Sequence, residues 1–128
     1  MDLPKKRLAF VENKIQLTDK VCELTLRHHE PMNFVPGQFI NLHPLPNVYR
    51  AYSIASIADD NRHIKLLIEN GHEGIGSNYV KLLKIEDQVD FIGPSGRLKL
   101  KEPLNTKLYF FATGTGIAPF ISMFHKLV

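Results

Sequence analysis

Arg50 lies two residues before Tyr52 and three before Ser53, in the segment RAYSIAS, which otherwise has the residues of a β-strand. An arginine guanidinium can hold a phosphate through two parallel hydrogen bonds. An arginine on a strand can equally be a solvated charge, or half of a surface ion pair that contributes less than about 1 kcal/mol. This pattern alone is therefore a weak indication of a binding site.

A second candidate site is GHEGIGSNYV, in which Gly74 and Gly76 precede a predicted helix over residues 77–84 with Ser77 as its N-cap. A helix N-terminus presents unpaired N–H groups, and glycines let a phosphate approach the backbone. A glycine turn with a serine cap is the alternative reading. If a strand carries Arg50 to the same place, the guanidinium and the N–H groups could surround one pyrophosphate.

The third candidate is GTGIAP, which follows the continuous apolar run KLYFFAT (residues 107–113). That run is typical of a strand buried on both faces, and FISMFHKLV after it has helical spacing. Strand, glycine-rich turn and helix form the opening unit of a nucleotide-binding α/β domain. Pro119 replaces the last glycine of the dinucleotide fingerprint and suits the first turn of a helix.

Short alternating or β-rich segments, which must position these residues, occupy the chain from residue 7 to about residue 93 and are separated by turn residues. Six strands with short connections predict an antiparallel barrel or sandwich, interrupted by the helix at 77–84. The segments are RLAFVENKIQL, VCELTLRHH, GQFINLHP, VYRAYSIAS, HIKLLIEN and DQVDFIGP.

The composition is that of a globular protein, with 128 residues, 44% hydrophobic and 23% charged. No apolar run approaches the roughly 18 residues of a membrane span, and the first residues lack a secretory signal, so we expect a cytoplasmic protein without membrane insertion. The net charge of +3 favours anionic partners. Cys22 is expected in the core, His28 and His29 at a solvated strand end, and no metal site is expected.

The sequence resembles the ferredoxin–NADP reductase family of flavoproteins in three motifs that follow one another in order, RAYS, GIGS and GTGIAP. It resembles this family also in FVPGQFINL, which precedes RAYS, and in GPSGRL, which lies between GIGS and GTGIAP. The resemblance implies a mainly β fold in which residues 1–103 form a six-stranded antiparallel FAD-binding barrel with one short helix. Residues 104–128 would be the first strand and helix of an incomplete, α/β NAD(P)-binding domain.

The resemblance also implies roles for individual residues. Arg50 would bind the FAD phosphate, Tyr52 would stack on the isoalloxazine ring, and Ser53 would hydrogen-bond near the flavin N5, which makes Tyr52 and Ser53 the candidate catalytic residues. Alternation puts Ser53 on the opposite face from Tyr52, so Ser53 reaches the ring only at a strand end or bulge. The further cofactor-binding residues implied are Ala51, Leu67, Ile68, Glu69, Gly74, Gly76, Ser77, Gly114, Thr115 and Gly116.

The implied function is an FAD-binding module of an NAD(P)H-dependent oxidoreductase that exchanges electrons with ferredoxin, flavodoxin or another carrier. FMN is less favoured than FAD, and NADPH versus NADH stays open. The alternative is a non-enzymatic basic barrel that binds single-stranded nucleic acid through exposed aromatics. Aromatic residues make up only 9% of the chain, and many of the eight Phe have core-like spacing, which favours the flavoprotein.

The apolar run at 107–113 has no parallel neighbour strands in this sequence. An unpaired hydrophobic strand is prone to pair with other chains. We therefore expect the residues from about Lys107 onward to dock on the barrel, to pair with a second copy, or to be poorly ordered.

Overall fold

Six antiparallel strands dominate the computed structural model, which describes residues 2–104 and 107–128. Each neighbouring pair of strands is antiparallel, as the alternating segments predicted. The mainly β, six-stranded fold with few helices is thus confirmed. The strands are β1 (Lys5–Gln16), β2 (Val21–His28), β3 (Phe39–Leu45), β4 (Val48–Ser53), β5 (His63–Glu69) and β6 (Gln88–Ser95).

The sheet closes on itself through a single bridge. Its strand order is β4-β3-β6-β1-β2-β5, so β4 and β5 are the two edges. They meet where Ile54 pairs with Leu66, and the Ala55 N–H donates to the Lys65 carbonyl at 2.8 Å. Among the described residues no other pairing joins the two strands, so the sheet stays open on the side of the bridge that leads to the start of β4 and the end of β5.

The inner face of this sheet forms one hydrophobic core. Its strand residues alternate as expected for a sheet with one buried face; in β5, for example, Ile64, Leu66 and Ile68 are fully buried. Burying one such side chain contributes about 1.5–3 kcal/mol. The helix α1 (Ile75–Leu82) adds its buried Val80 to the same core.

The segment predicted as a strand at 107–113 forms no strand, so that prediction is wrong. Its residues are irregular and exposed; Phe111 exposes 86% of its surface. A strand is stabilised by hydrogen bonds to neighbouring strands, and none of the described residues offers this segment an unpaired parallel strand. The residues after it form a 3₁₀ turn (Gly114–Ile117) and the helix α2 (Ala118–Leu127), with Pro119 in its first turn as predicted.

The helix α2 docks on the barrel, which was one of the three outcomes expected for the C-terminal residues. It buries Ala118, Pro119, Ser122 and Met123. The Met123 methyl lies so close to Gly37 that a Cβ there would be 2.8 Å from it. No helix in the described part of the chain is long and apolar enough to cross a membrane.

Two expectations about aromatic and histidine burial need correction. Of the eight Phe side chains only Phe34 and Phe91 are buried, so the expectation that many belong to the core is wrong. His29 is exposed as expected, but His28 is 3% exposed. Its pairing with the fully buried Ala9 puts its ring on the inner face, edge-on to the Phe91 ring. Cys22 is buried in the core as expected.

Burial lowers the pKa of His28 to about 4, and the Arg7 charge adds to this effect. Both ring nitrogens lack a hydrogen-bond partner among the described residues. The protonated imidazolium is therefore poorly accommodated in the folded state, whereas the unfolded chain binds this proton near pH 6.5. The folded state should lose stability as the pH falls from about 6.5 to about 4.

We predict that His28→Leu removes this pH dependence. Between pH 7 and pH 4 the wild type should lose roughly 2 to 3 kcal/mol more of its free energy of unfolding than His28→Leu, because only the wild type must expel a proton from His28 to fold. Urea unfolding at a series of pH values measures the difference. Parallel pH profiles for the two proteins would show that unfolding does not change the number of protons bound to His28.

Candidate functional site

A cleft of about 330 Å³ lies at the open edge of the sheet, where β4, β5 and the N-terminus of α1 meet. Nine residues singled out in the sequence line it, although they come from four separate segments. The residues lining the cleft are Arg50, Ala51, Tyr52, Leu67, Glu69, His72, Gly74, Ile75, Gly76, Ser77 and Thr115.

Arg50 and Tyr52 lie on the same face of β4, as their alternation predicted. The Arg50 side chain is exposed, and its guanidinium donates to the neighbouring Tyr49 carbonyl at 2.9 Å. It forms no ion pair with any described carboxylate, so its charge is available to a ligand. Burial raises the pKa of the Tyr52 phenol, partly offset by the Arg50 charge, and this keeps the hydroxyl neutral.

Gly76 lets these two side chains pack against the first turn of α1. A Cβ at this position would collide with the Tyr52 hydroxyl and would lie 3.3 Å from the Arg50 Cγ. At Gly74, by contrast, a Cβ would make only ordinary contact, 3.6 Å from the His72 ring. The close approach of β4 to α1 therefore requires glycine at position 76 but not at 74.

Ser77 is not the N-cap that the sequence predicted. The helix α1 begins at Ile75, two residues before Ser77, and its N-cap is Gly74. The Ser77 hydroxyl instead donates to the Glu69 carbonyl at 2.7 Å and so fastens the helix to the end of β5. No side chain caps the helix, and its first turn contains no acidic residue. Its first N–H groups therefore keep their positive field at the cleft.

Backbone groups of both edge strands also face the opening. The Ile54 N–H donates to the Gln38 carbonyl, just before β3, at 3.0 Å. The backbone groups of successive strand residues point alternately to the two sides, so Ala51, three residues before Ile54, directs its N–H and C=O away from β3 to the open edge. In β5 the Lys65 carbonyl accepts a hydrogen bond from the Ala55 N–H, which lies just after β4. The backbone groups of Leu67, two residues further along, point in the same direction. Backbone groups of both strands therefore form part of the cleft wall.

Four of the sequence-predicted residues do not line the cleft. Ile68 is fully buried in the core, because it alternates with Leu67 and Glu69. Gly114 and Gly116 lie beside Thr115, but a Cβ on either would meet nothing within 4 Å. Ser53 is the last residue of β4 and pairs with Phe39, so it does occupy a strand end, beside the cleft.

His72 is a cleft residue that the sequence reasoning missed. Its Nε2 lies 3.4 Å from the Ser77 hydroxyl, and its backbone carbonyl accepts a hydrogen bond from the Lys81 ammonium at 3.2 Å. The signal was present in the sequence, since a histidine in the glycine loop before a helix N-terminus can approach whatever that helix binds.

A larger groove of about 780 Å³ lies away from all of these residues. It is bounded by residues 35–38 and 96–102 and by Lys126 of α2. None of the sequence-predicted residues lines it. The described residues contain no group of three or more His, Cys, Asp and Glu side chains that could hold a metal ion. The smaller cleft is therefore the candidate site, because there a free guanidinium and unpaired N–H groups converge on one volume and can bind an anion.

Residues 9–100 match a family model described as the oxidoreductase FAD-binding domain. The chain is 33% identical over 123 residues to the toluate 1,2-dioxygenase electron transfer component of Pseudomonas putida, covering 93% of this chain and 36% of that protein. It is 38% identical over 93 residues to ferredoxin–NADP reductase B of Sorangium cellulosum, covering 70% of this chain and 38% of that protein.

The fold agrees with solved structures as well. The ferredoxin–NADP⁺ reductase of Plasmodium falciparum superposes with a TM-score of 0.85 at 28% identity, covering 95% of this chain and 51% of that one. The chain thus spans between about a third and a half of the length of these similar proteins.

We predict that Ser77→Ala destabilises the protein by about 1 to 2 kcal/mol, because it removes the hydrogen bond that the buried Ser77 hydroxyl donates to the Glu69 carbonyl. Asn78→Ala is the matched control, since Asn78 follows it in the helix with an exposed side chain. That variant should change stability by less than about 0.5 kcal/mol. Urea unfolding measures both; equal effects would contradict a stabilising role for the Ser77 hydroxyl.

Proposed function

Because this chain belongs to the oxidoreductase FAD-binding domain family, we propose that it binds FAD in the cleft between β4, β5 and α1. Within a flavoprotein of the ferredoxin–NADP reductase type, it serves electron transfer between NAD(P)H and a one-electron carrier. One observation carries the proposal. Arg50, with no carboxylate partner among the described residues, and the uncapped first turn of α1 line the same cleft.

The phosphates of FAD fit the donors at the α1 end of the cleft. Arg50 offers a bidentate guanidinium, and the first turn of α1 offers N–H groups and its dipole. Gly74 and Gly76 present no side chain that would keep a phosphate from this backbone. A pyrophosphate bound there has its charge compensated from both sides.

Tyr52 and Ser53 are the proposed contacts of the isoalloxazine ring. Tyr52 is half-buried and offers a flat face beside Arg50, and Ser53, at the end of β4, can direct its hydroxyl past the strand. Bound FAD accepts a hydride and releases electrons one at a time. The protein holds the ring, and the Ser53 hydroxyl donates or accepts a hydrogen bond at its edge.

The backbone of Leu67 and Glu69 forms the opposite wall, and Thr115 reaches the cleft from the turn before α2. Ile68 is left out of the proposed set because it is fully buried in the core, and Gly114 and Gly116 because they do not line the cleft. Ser53 does not line it either, but it stays in the set because it follows Tyr52 at the end of β4. The nicotinamide cofactor and the electron carrier are proposed from the similar proteins, whose names include ferredoxin–NADP reductase and an electron transfer component.

We predict that the wild-type chain binds FAD and that Arg50→Ala weakens this binding by about 2 to 4 kcal/mol, because the phosphate loses a charge-assisted pair. Fluorescence titration with FAD measures the affinity. Arg62→Ala is the matched control, since Arg62 is exposed and lies outside the cleft.

Two results would overturn this assignment separately. A wild-type chain that binds no flavin, but binds single-stranded nucleic acid with an affinity that falls steeply with salt, would replace the proposed function with the alternative. A wild type that binds FAD while Arg50→Ala binds it equally well would remove Arg50 from the site and leave the function in place.

We further predict that Gly76→Ala weakens FAD binding about tenfold, because the added methyl group displaces Tyr52 and the Arg50 stem. Gly116→Ala is the comparison, since a Cβ there meets open space, and its affinity should match the wild type. The same titration measures both. If Gly116→Ala has the larger effect, the flavin lies nearer the C-terminal turn than we propose.

A further inference from the structure

A bulge in β1 turns Lys14 toward the end of the barrel. Strict alternation after the buried Ala9 and Val11 would point Lys14 outward. The pairing of β1 with β2 shifts by one residue between Val11 and Asn13, and Lys14 then pairs with Leu24, which is fully buried. Cross-strand partners share a face, so the bulge brings Lys14 to the inner face.

At the end of the barrel the Lys14 ammonium meets the C-terminus of α1. It donates three hydrogen bonds, to the carbonyls of Val80 at 2.7 Å, Lys81 at 2.9 Å and Leu83 at 3.1 Å. An ammonium has three N–H donors, so all of them are used. The three carbonyls belong to the last turn of α1 and to its C-cap, Leu83, and the Val80 carbonyl also accepts the Leu83 N–H at 3.2 Å. The negative end of the helix dipole attracts the same ammonium charge.

The helix that Lys14 holds is too short to be stable by itself. α1 has eight residues, whereas isolated helices shorter than about 12 are marginal in water. Its position therefore depends on contacts with the barrel. Ser77 binds Glu69 at its first turn, Val80 packs in the core, and Lys14 binds the last turn.

We propose that Lys14 is a positioning residue for the cofactor site. It fixes the C-terminus of α1 and so sets where the N–H groups at the other end of the helix lie relative to Arg50. The helix is roughly 12 Å long at 1.5 Å per residue, and a tilt at one end displaces the other. This inference rests on the proposed binding of FAD in the cleft.

The test compares three variants with the wild type. Lys14→Met keeps the stem and removes the ammonium, and Lys14→Arg keeps donors for the same carbonyls. Lys84→Met is the matched control, because Lys84 also carries a charge next to the helix C-terminus but its ammonium has no hydrogen bond or ion pair among the described residues. FAD affinity is measured for each variant, together with hydrogen exchange of the Asn78 amide, which donates to the Gly74 carbonyl at 2.9 Å in the first turn of α1. Both are measured well below the melting temperature.

Lys14→Met should bind FAD about five- to tenfold more weakly and exchange the Asn78 amide faster. Lys14→Arg should recover most of the affinity, and Lys84→Met should match the wild type. Equal affinities for Lys14→Met and the wild type would overturn the inference, as would equal losses in Lys14→Met and Lys84→Met. If Lys14→Met does not fold, Lys14→Gln carries the same comparison with one remaining donor group.

The wild-type measurement separates the two proposals. A wild type that binds no FAD overturns the proposed function and, with it, the role of Lys14 in cofactor binding. A wild type that binds FAD, together with unaltered binding in Lys14→Met, overturns only the role of Lys14.

Discussion

The single bridge between Ile54 and Leu66 is the constraint on which the site depends. Among the described residues the edge strands β4 and β5 are joined only at this bridge, and toward the start of β4 and the end of β5 no further pairing connects them, so backbone groups of both strands are left facing the opening. Backbone groups at an open sheet edge can be satisfied by water, by a ligand or by another part of the chain. The Glu69 carbonyl is satisfied by Ser77, and the rest form the cleft wall.

The helix α1 closes the same opening from the end of the barrel. One of its faces completes the hydrophobic core through Val80, and its N-terminus lines the cleft through Gly74, Gly76 and Ser77. Stability and binding are thus served by different sides of one short element. The tight packing of Tyr52 over Gly76 connects them, because it fixes the distance between the strand that carries the guanidinium and the helix that carries the N–H groups.

The C-terminal residues illustrate how far an element depends on partners. KLYFFAT has the composition of a buried strand, yet it forms none, since a strand needs neighbours to receive its hydrogen bonds. The helix α2 forms because its hydrogen bonds are internal, and it docks through Met123 beside Gly37. Thr115 reaches the cleft only because this docking holds the turn before α2 against the barrel.

The sequence by itself determined the six strands and the helix near residue 77, because alternation, turn residues and helix signals are local properties of the chain. That Arg50 and the glycine loop line one cleft was expected only from the resemblance to a known family, because it depends on how distant segments pack. The tertiary structure decided what depends on distant residues. Ser77 binds Glu69 instead of capping its own helix, His28 is buried through its pairing with Ala9, and Lys14 faces inward through a bulge. Each of these outcomes follows from strand register and edge pairing, which are set by contacts between segments far apart in the chain and leave no local signal in the sequence.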